Sequence, residues 1–163
     1  DNRLNMIHEG THGIQALDLL GRKVVMAGGA GLKLLASRMQ VSIGQARDLP
    51  ELRVQADALA AAVHAIVEAT RAAWSAGTPE EALSNAMPYM QAFGHTVIAW
   101  IWLELALHAQ RALAAGEGDA TFLSGKLQAM RYFFSYELPL VPAWLAVVIA
   151  RDPVCREMRD EWF

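Results

Sequence analysis

The stretch from Leu52 to Trp74 constrains the fold more than any other part of the chain. Leu52, Ala56, Leu59, Val63, Ile66, Thr70 and Trp74 follow one another at intervals of four and three residues. That seam suits a helix packed along its length against other helices at a shallow angle. It does not suit a strand, whose side chains alternate with period two. No sustained strand alternation occurs elsewhere in the 163 residues. The fold class read from this pattern is all-α, a helical bundle of about five helices, up-and-down. Composition supports a real core: 54% of residues are hydrophobic and 19% charged. Alanine, leucine and methionine outweigh the β-branched residues, which favours helices again.

The other helices are delimited by turn chemistry. Residues 1–13 are a polar lead-in, after which Ile14, Leu17, Leu20, Val24 and Val25 recur at helical spacing and end near Gly28-Gly29. A second helix is predicted from Leu32 to Ala46, with Leu32, Leu35, Met39 and Ile43 on one face, ending at Asp48-Leu49-Pro50. The Leu52–Trp74 helix stops at Gly77. Thr78-Pro79-Glu80-Glu81 then supplies an N-cap, a proline at the first helical position and a capping-box glutamate. A fourth helix runs from there to about Ala115, with Pro88 or Gly94 as its expected kink. Gly116-Glu117-Gly118-Asp119 is a turn. A fifth helix starts near Thr121 and is bent or split by Pro139 and Pro142 before resuming through Trp144 to Arg151.

Several function classes are disfavoured. A net charge of −3 without a basic cluster excludes a nucleic-acid footprint. The apolar run Val97–Leu107 is interrupted by Glu104 and is shorter than the ~20 residues of a membrane span. Cys155 is the lone cysteine, so neither an internal disulfide nor a zinc knuckle is available, and a cytoplasmic setting is expected. His64/Glu68 and Glu104/His108 are each four apart, unlike the three-residue spacing of di-iron bundles. No metal site is assigned. Trp100, Trp102, Phe133, Phe134, Tyr136 and Trp144 read as core packing before they read as a ligand box.

One string carries chemistry. Ile7-His8-Glu9-Gly10-Thr11-His12-Gly13-Ile14-Gln15 leads into Leu17-Asp18-Leu19-Leu20-Gly21-Arg22-Lys23. On its own, Thr11 is a helix cap and Glu9 a solvated carboxylate. The ordered string closely resembles the segment near the C-terminal end of the acyl-CoA dehydrogenase core. Residues beyond it resemble, more loosely, the helical domain appended in the subset acting on methylmercaptopropionyl-CoA and similar thioesters. The strings Phe93-Gly94-His95-Thr96-Val97-Ile98-Ala99-Trp100, Gly125–Phe134 and Glu137-Leu138-Pro139 carry that second likeness.

The resemblance implies a division at 1–28, the end of the core helical domain, and 29–163, an appended bundle. It implies Glu9 as the catalytic base that removes the α-proton of an acyl-CoA while a β-hydride moves to FAD, giving a trans-2-enoyl-CoA in fatty acid metabolism. It places Gly10 against the substrate, and Thr11, His12 and Gly13 against FAD. Electron-transfer flavoprotein is the implied acceptor and a homo-oligomer the implied assembly. The start Asp1-Asn2-Arg3-Leu4, without a starting Met, reads as the middle of a longer chain, so this piece is expected to be inactive alone and to retain no FAD. The competing reading is a non-enzymatic helical interaction or oligomerisation module. Two positions depart from the family: His8 stands where tyrosine is usual, and His12 where asparagine is common.

These roles are chemically coherent. A carboxylate that deprotonates carbon must be desolvated to raise its pKa, and the thioester carbonyl must be polarised to hold the developing enolate. A glycine beside it lets backbone approach a ligand with no Cβ in the way.

Overall fold

The computed structural model describes residues 11–162. Among them, α1 (Thr11–Asp18) passes through a π-helical turn (Leu19–Lys23) into α2 (Met26–Arg47), followed by α3 (Arg53–Ala73), α4 (Pro79–Leu83) and α5 (Ala86–Ala115). The chain closes with α6 (Ala120–Tyr132) and α7 (Val141–Ala150). No strand occurs among the described residues, so the all-α expectation holds.

Side-chain pairs fix the directions. Arg47 and Asp57 bridge the α2–α3 turn at 2.8 Å, making these helices an antiparallel hairpin. Thr70 of α3 meets Tyr89 near the start of α5, and Ser42 of α2 meets Glu104 further along it, so α5 runs with α2 and against α3. His95 of α5 packs edge-on against Trp144 and at a tilt beside Phe133, while Asn85 meets Asp152, so α6–α7 returns alongside α5. The bundle is up-down-up-down. The α3 seam is its axis: Leu52, Ala56, Leu59, Val63 and Ile66 are all buried, as their spacing requires. Each fully buried leucine or isoleucine contributes roughly 1.5–3 kcal/mol relative to exposure.

Local details differ from the sequence reading where tertiary contacts intervene. The expected fourth helix is interrupted at Ser84–Asn85 and not at Pro88 or Gly94. Pro88 falls within the first turn of α5, where its missing N–H has no intrahelical acceptor to lose. Asn85 turns its amide aside to donate to the Asp152 carbonyl at 2.9 Å, tying the break to the chain's end. Thr78 occupies the N-cap position with Pro79 behind it, yet its hydroxyl makes no capping bond. Asp119 does cap, accepting from the N–H groups of Thr121 and Phe122 at 2.8 and 3.2 Å. Pro139 and Pro142 split the last helix as expected. A π-helical turn (Phe133–Glu137) and a 3₁₀ turn (Leu138–Leu140) precede α7, whose first turn accepts Pro142.

Near its start α2 is broken by Ala27, Gly28 and Gly29, which take φ values of 51°, 66° and 79°. Glycine adopts this left-handed region freely, whereas a Cβ makes it costly by roughly 1–2 kcal/mol. Ala27 is exposed and has no packing to lose. Ala27→Gly is therefore expected to raise stability by about 1 kcal/mol, read as a higher urea midpoint. A lower midpoint would mean that the strain has been misassigned. Gly29→Ala should act oppositely, since its new Cβ would stand 3.4 Å from the Val24 carbonyl at a positive φ.

Candidate functional site

Glu9 and Gly10 lie outside the described residues. Thr11, His12 and Gly13 form the first turn of α1, with Thr11 half-buried and the other two exposed. Among the described residues, a Cβ at Gly13 would meet no atom within 4 Å.

The turn is held from behind. Ala16 and Leu20 are fully buried against the bundle, and α1 packs on α5. The indole N–H of Trp74, at the end of α3, donates to the Leu20 carbonyl at 3.2 Å. Gly21 lets Leu83 approach, because a Cβ there would stand 3.3 Å from its side chain. Ile14 and Leu17, expected to face inward with Leu20, instead point outward at 68% and 48% exposure. The reason is geometric: Ala16, Leu20 and Val24 take the inner face, which leaves Ile14 and Leu17 on the other side. Leu17 and Gly13 border an open cleft with Leu83, Met87, Val154 and Cys155. Asp18 pairs with Arg22 on the solvent side. The hydrogen bond from Arg22 holds the Asp18 carboxyl below its usual range, and the guanidinium is raised in return. An exposed pair of this kind contributes little to stability.

The polar groups away from α1 were not legible in the sequence. Ser42, buried in α2, donates to Glu104 of α5 at 2.5 Å and accepts from the Trp100 indole N–H at 2.7 Å. Glu104 is therefore a packing partner of α2, while His108 and His64 are exposed and Glu68 pairs with Arg71 at 2.7 Å. Among the described residues, no three or more His, Cys, Asp or Glu side chains are grouped to hold a metal. The aromatic residues do not converge. Trp100 faces α2, Phe133 and Trp144 enclose His95, and Tyr136 is exposed and stacked on Tyr132. His95 also lies 3.6 Å from Glu137. By length and composition α5 and the stretch Ala120–Ala150 could each cross a membrane. In the fold, α5 buries Tyr89, Leu103, Leu107 and a run of alanines against five neighbouring helices.

The described residues thus form an all-α helical-bundle domain, with Thr11–Gly13 at one edge of it. The chain belongs to the family described as Acetyl-CoA dehydrogenase C-terminal like, which matches residues 35–159. It is 34% identical over 143 residues to 3-methylmercaptopropionyl-CoA dehydrogenase of Ruegeria pomeroyi, covering 82% of this chain and 23% of that one. It is 27% identical over 169 residues to butyryl-CoA dehydrogenase of Syntrophomonas wolfei, covering 100% of this chain and 27% of the relative. The broad-specificity linear acyl-CoA dehydrogenase FadE5 of Mycobacterium tuberculosis is 24% identical over 173 residues, covering 100% and 28%. The chain spans about a quarter of the length of these curated relatives.

Proposed function

We propose that this chain is the C-terminal portion of an FAD-dependent acyl-CoA dehydrogenase, inactive alone, in which residues 1–28 complete the active site and residues 29–163 form an appended bundle. Glu9 takes the α-proton of the acyl thioester, and Gly10 gives the substrate close access to backbone. Thr11, His12 and Gly13 present their turn to FAD, whose chemistry, when bound, is to accept the hydride from the β-carbon. Electron-transfer flavoprotein reoxidises the enzyme, and the setting is cytoplasmic.

The observation that carries this reading is the ordered run from Glu9 to Lys23, whose described part from Thr11 onward is helical and backed by the bundle. Support for the fit to FAD comes from Gly13, where a Cβ would meet no atom of the described residues within 4 Å. The likeness to dehydrogenases that act on 3-methylmercaptopropionyl-CoA and butyryl-CoA supports an acyl-CoA thioester as substrate. A generic bundle has no physical need for Glu-Gly-Thr at the head of its first helix.

The test is optical. The longer protein that contains this chain is expected to purify yellow, and anaerobic addition of a substrate acyl-CoA should bleach the flavin band near 450 nm within one turnover, by roughly the whole absorbance. The 163-residue chain alone should be colourless. A longer protein that binds flavin but is not bleached by short, medium, long or thioether acyl-CoA substrates would sink the proposal.

A further inference from the structure

Between α1 and α2 the chain carries one residue more than a regular helix would hold. In an α-helix the Val24 N–H donates to the carbonyl four residues back, that of Leu20. Here it donates to the Leu19 carbonyl, five back, at 3.0 Å. The π-turn Leu19–Lys23 is the result, and the Leu20 carbonyl loses its ordinary donor. The Trp74 indole N–H, from 54 positions away, takes that place at 3.2 Å. Leu20 is wholly buried, where a carbonyl left without a donor is costly. Trp74 is itself fastened, since the neighbouring Ser75 hydroxyl accepts from Arg151 at 2.9 Å.

The extra residue sets which way α1 faces. Ala16, Leu20 and Val24 are all buried although they stand four apart, a spacing that drifts by about 40° per step on a regular helix. The π-turn absorbs that drift. If Val24 donated to Leu20 instead, α1 would rotate by about 100° and advance by about 1.5 Å. Leu17, now 48% exposed, would then stand where Ala16 stands. Leucine is the larger apolar residue, so burial alone does not oppose the slip. The indole does, because the slip gives its acceptor to Val24.

We infer that Trp74 is a positioning residue for the dehydrogenation. Its hydrogen bond holds the π-turn, and the π-turn fixes the angular register of α1. That register decides which way Thr11, His12 and Gly13 are presented, together with the chain that enters them from Glu9. The inference rests on the assignment of residues 9–13 to the active site. Trp74 acts on the reaction through Leu20 alone.

The test uses the longer protein that contains this chain. Trp74→Phe removes the donor, and replacing Trp74 by benzothienylalanine removes the N–H while keeping the bicyclic shape. Both proteins are expected to stay yellow. Flavin bleaching by saturating acyl-CoA should slow by about 10–100-fold, with half-saturation little changed. Hydrogen–deuterium exchange should quicken over residues 11–25 and hold in α5–α7. Met130→Ala opens a cavity in the core away from the π-turn and controls for lost stability. Its melting temperature should fall at least as far, with bleaching at the wild-type rate.

Equal slowing by Met130→Ala would overturn the proposal, and so would a benzothienylalanine protein that bleaches normally or exchanges normally over residues 11–25. Wild-type bleaching matched by both Trp74 variants would remove Trp74 and leave the dehydrogenase reading standing. A wild-type protein that binds flavin and is not bleached would remove both.

Discussion

Glu9→Gln in the full-length enzyme is expected to slow dehydrogenation by roughly 10²–10⁴-fold while the protein stays yellow. The amide has the shape of the carboxylate but cannot accept the α-proton, so the loss falls on kcat, with KM for acyl-CoA little changed. A 10³-fold loss corresponds to about 4 kcal/mol of transition-state stabilisation. Glu9→Asp separates chemistry from folding further. It keeps the base but withdraws it by about 1 Å, which should cost on the order of 10²-fold. Both variants are read by stopped-flow bleaching of the flavin band under substrate excess. Near-normal bleaching by Glu9→Gln would remove Glu9 from the mechanism and leave the base to be found upstream.

Tyr89→Ala is the substitution within the bundle expected to destabilise most, by about 3–5 kcal/mol. The ring is fully buried, lies 6.1 Å from that of Phe93, and sits where α3 and α5 meet. Its hydroxyl lies 2.6 Å from that of Thr70, and because Thr70 already donates to the Ile66 carbonyl, Tyr89 is the donor. Tyr89→Phe leaves that outlet intact and should cost only about 1 kcal/mol.

The same residue sets an alkaline limit. Burial pushes the phenol up to about 12, against a lowering contribution from Thr70. A pKa raised in the folded state stabilises fully below the unfolded value near 10, and that stability is lost as pH climbs through the folded value. The fold should therefore weaken between about pH 10 and 12, by about 2–3 kcal/mol from this group. Tyr89→Phe should flatten that window in chemical denaturation at a series of pH values. An unchanged alkaline slope would assign it to other groups.

The candidate site divides in the same way as these predictions. Glu9, Gly10, Thr11, His12 and Gly13 were legible only as a string, because the chemistry needs particular residue types in a fixed order. That Thr11–Gly13 lie on a helix backed by the Trp74–Leu20 bond came from the fold. The Ser42–Glu104–Trp100 contact had no signal in the sequence, since a serine and a glutamate 62 positions apart share no local pattern. Glu104 and His108 instead suggested a pair with each other. Tyr89 likewise gave no sign that its hydroxyl would find Thr70 across two helices.

Local physics determined the bundle itself. The α3 seam, the Gly77 and Gly116 stops, the Asp119 cap and the two late prolines each act within one or two turns, so the all-α class, the principal turns and the buried face of α3 follow from the sequence alone. Tertiary structure decided which of two equally apolar faces went inward. On α1 it chose Ala16 and Leu20 over Ile14 and Leu17, and on α5 it chose Leu103 over Ile101. It also moved the expected kink from Pro88 to Asn85, whose acceptor lies at the far end of the chain. A helix with apolar residues on both sides has no internal preference for either; only the neighbours it packs against can break the tie.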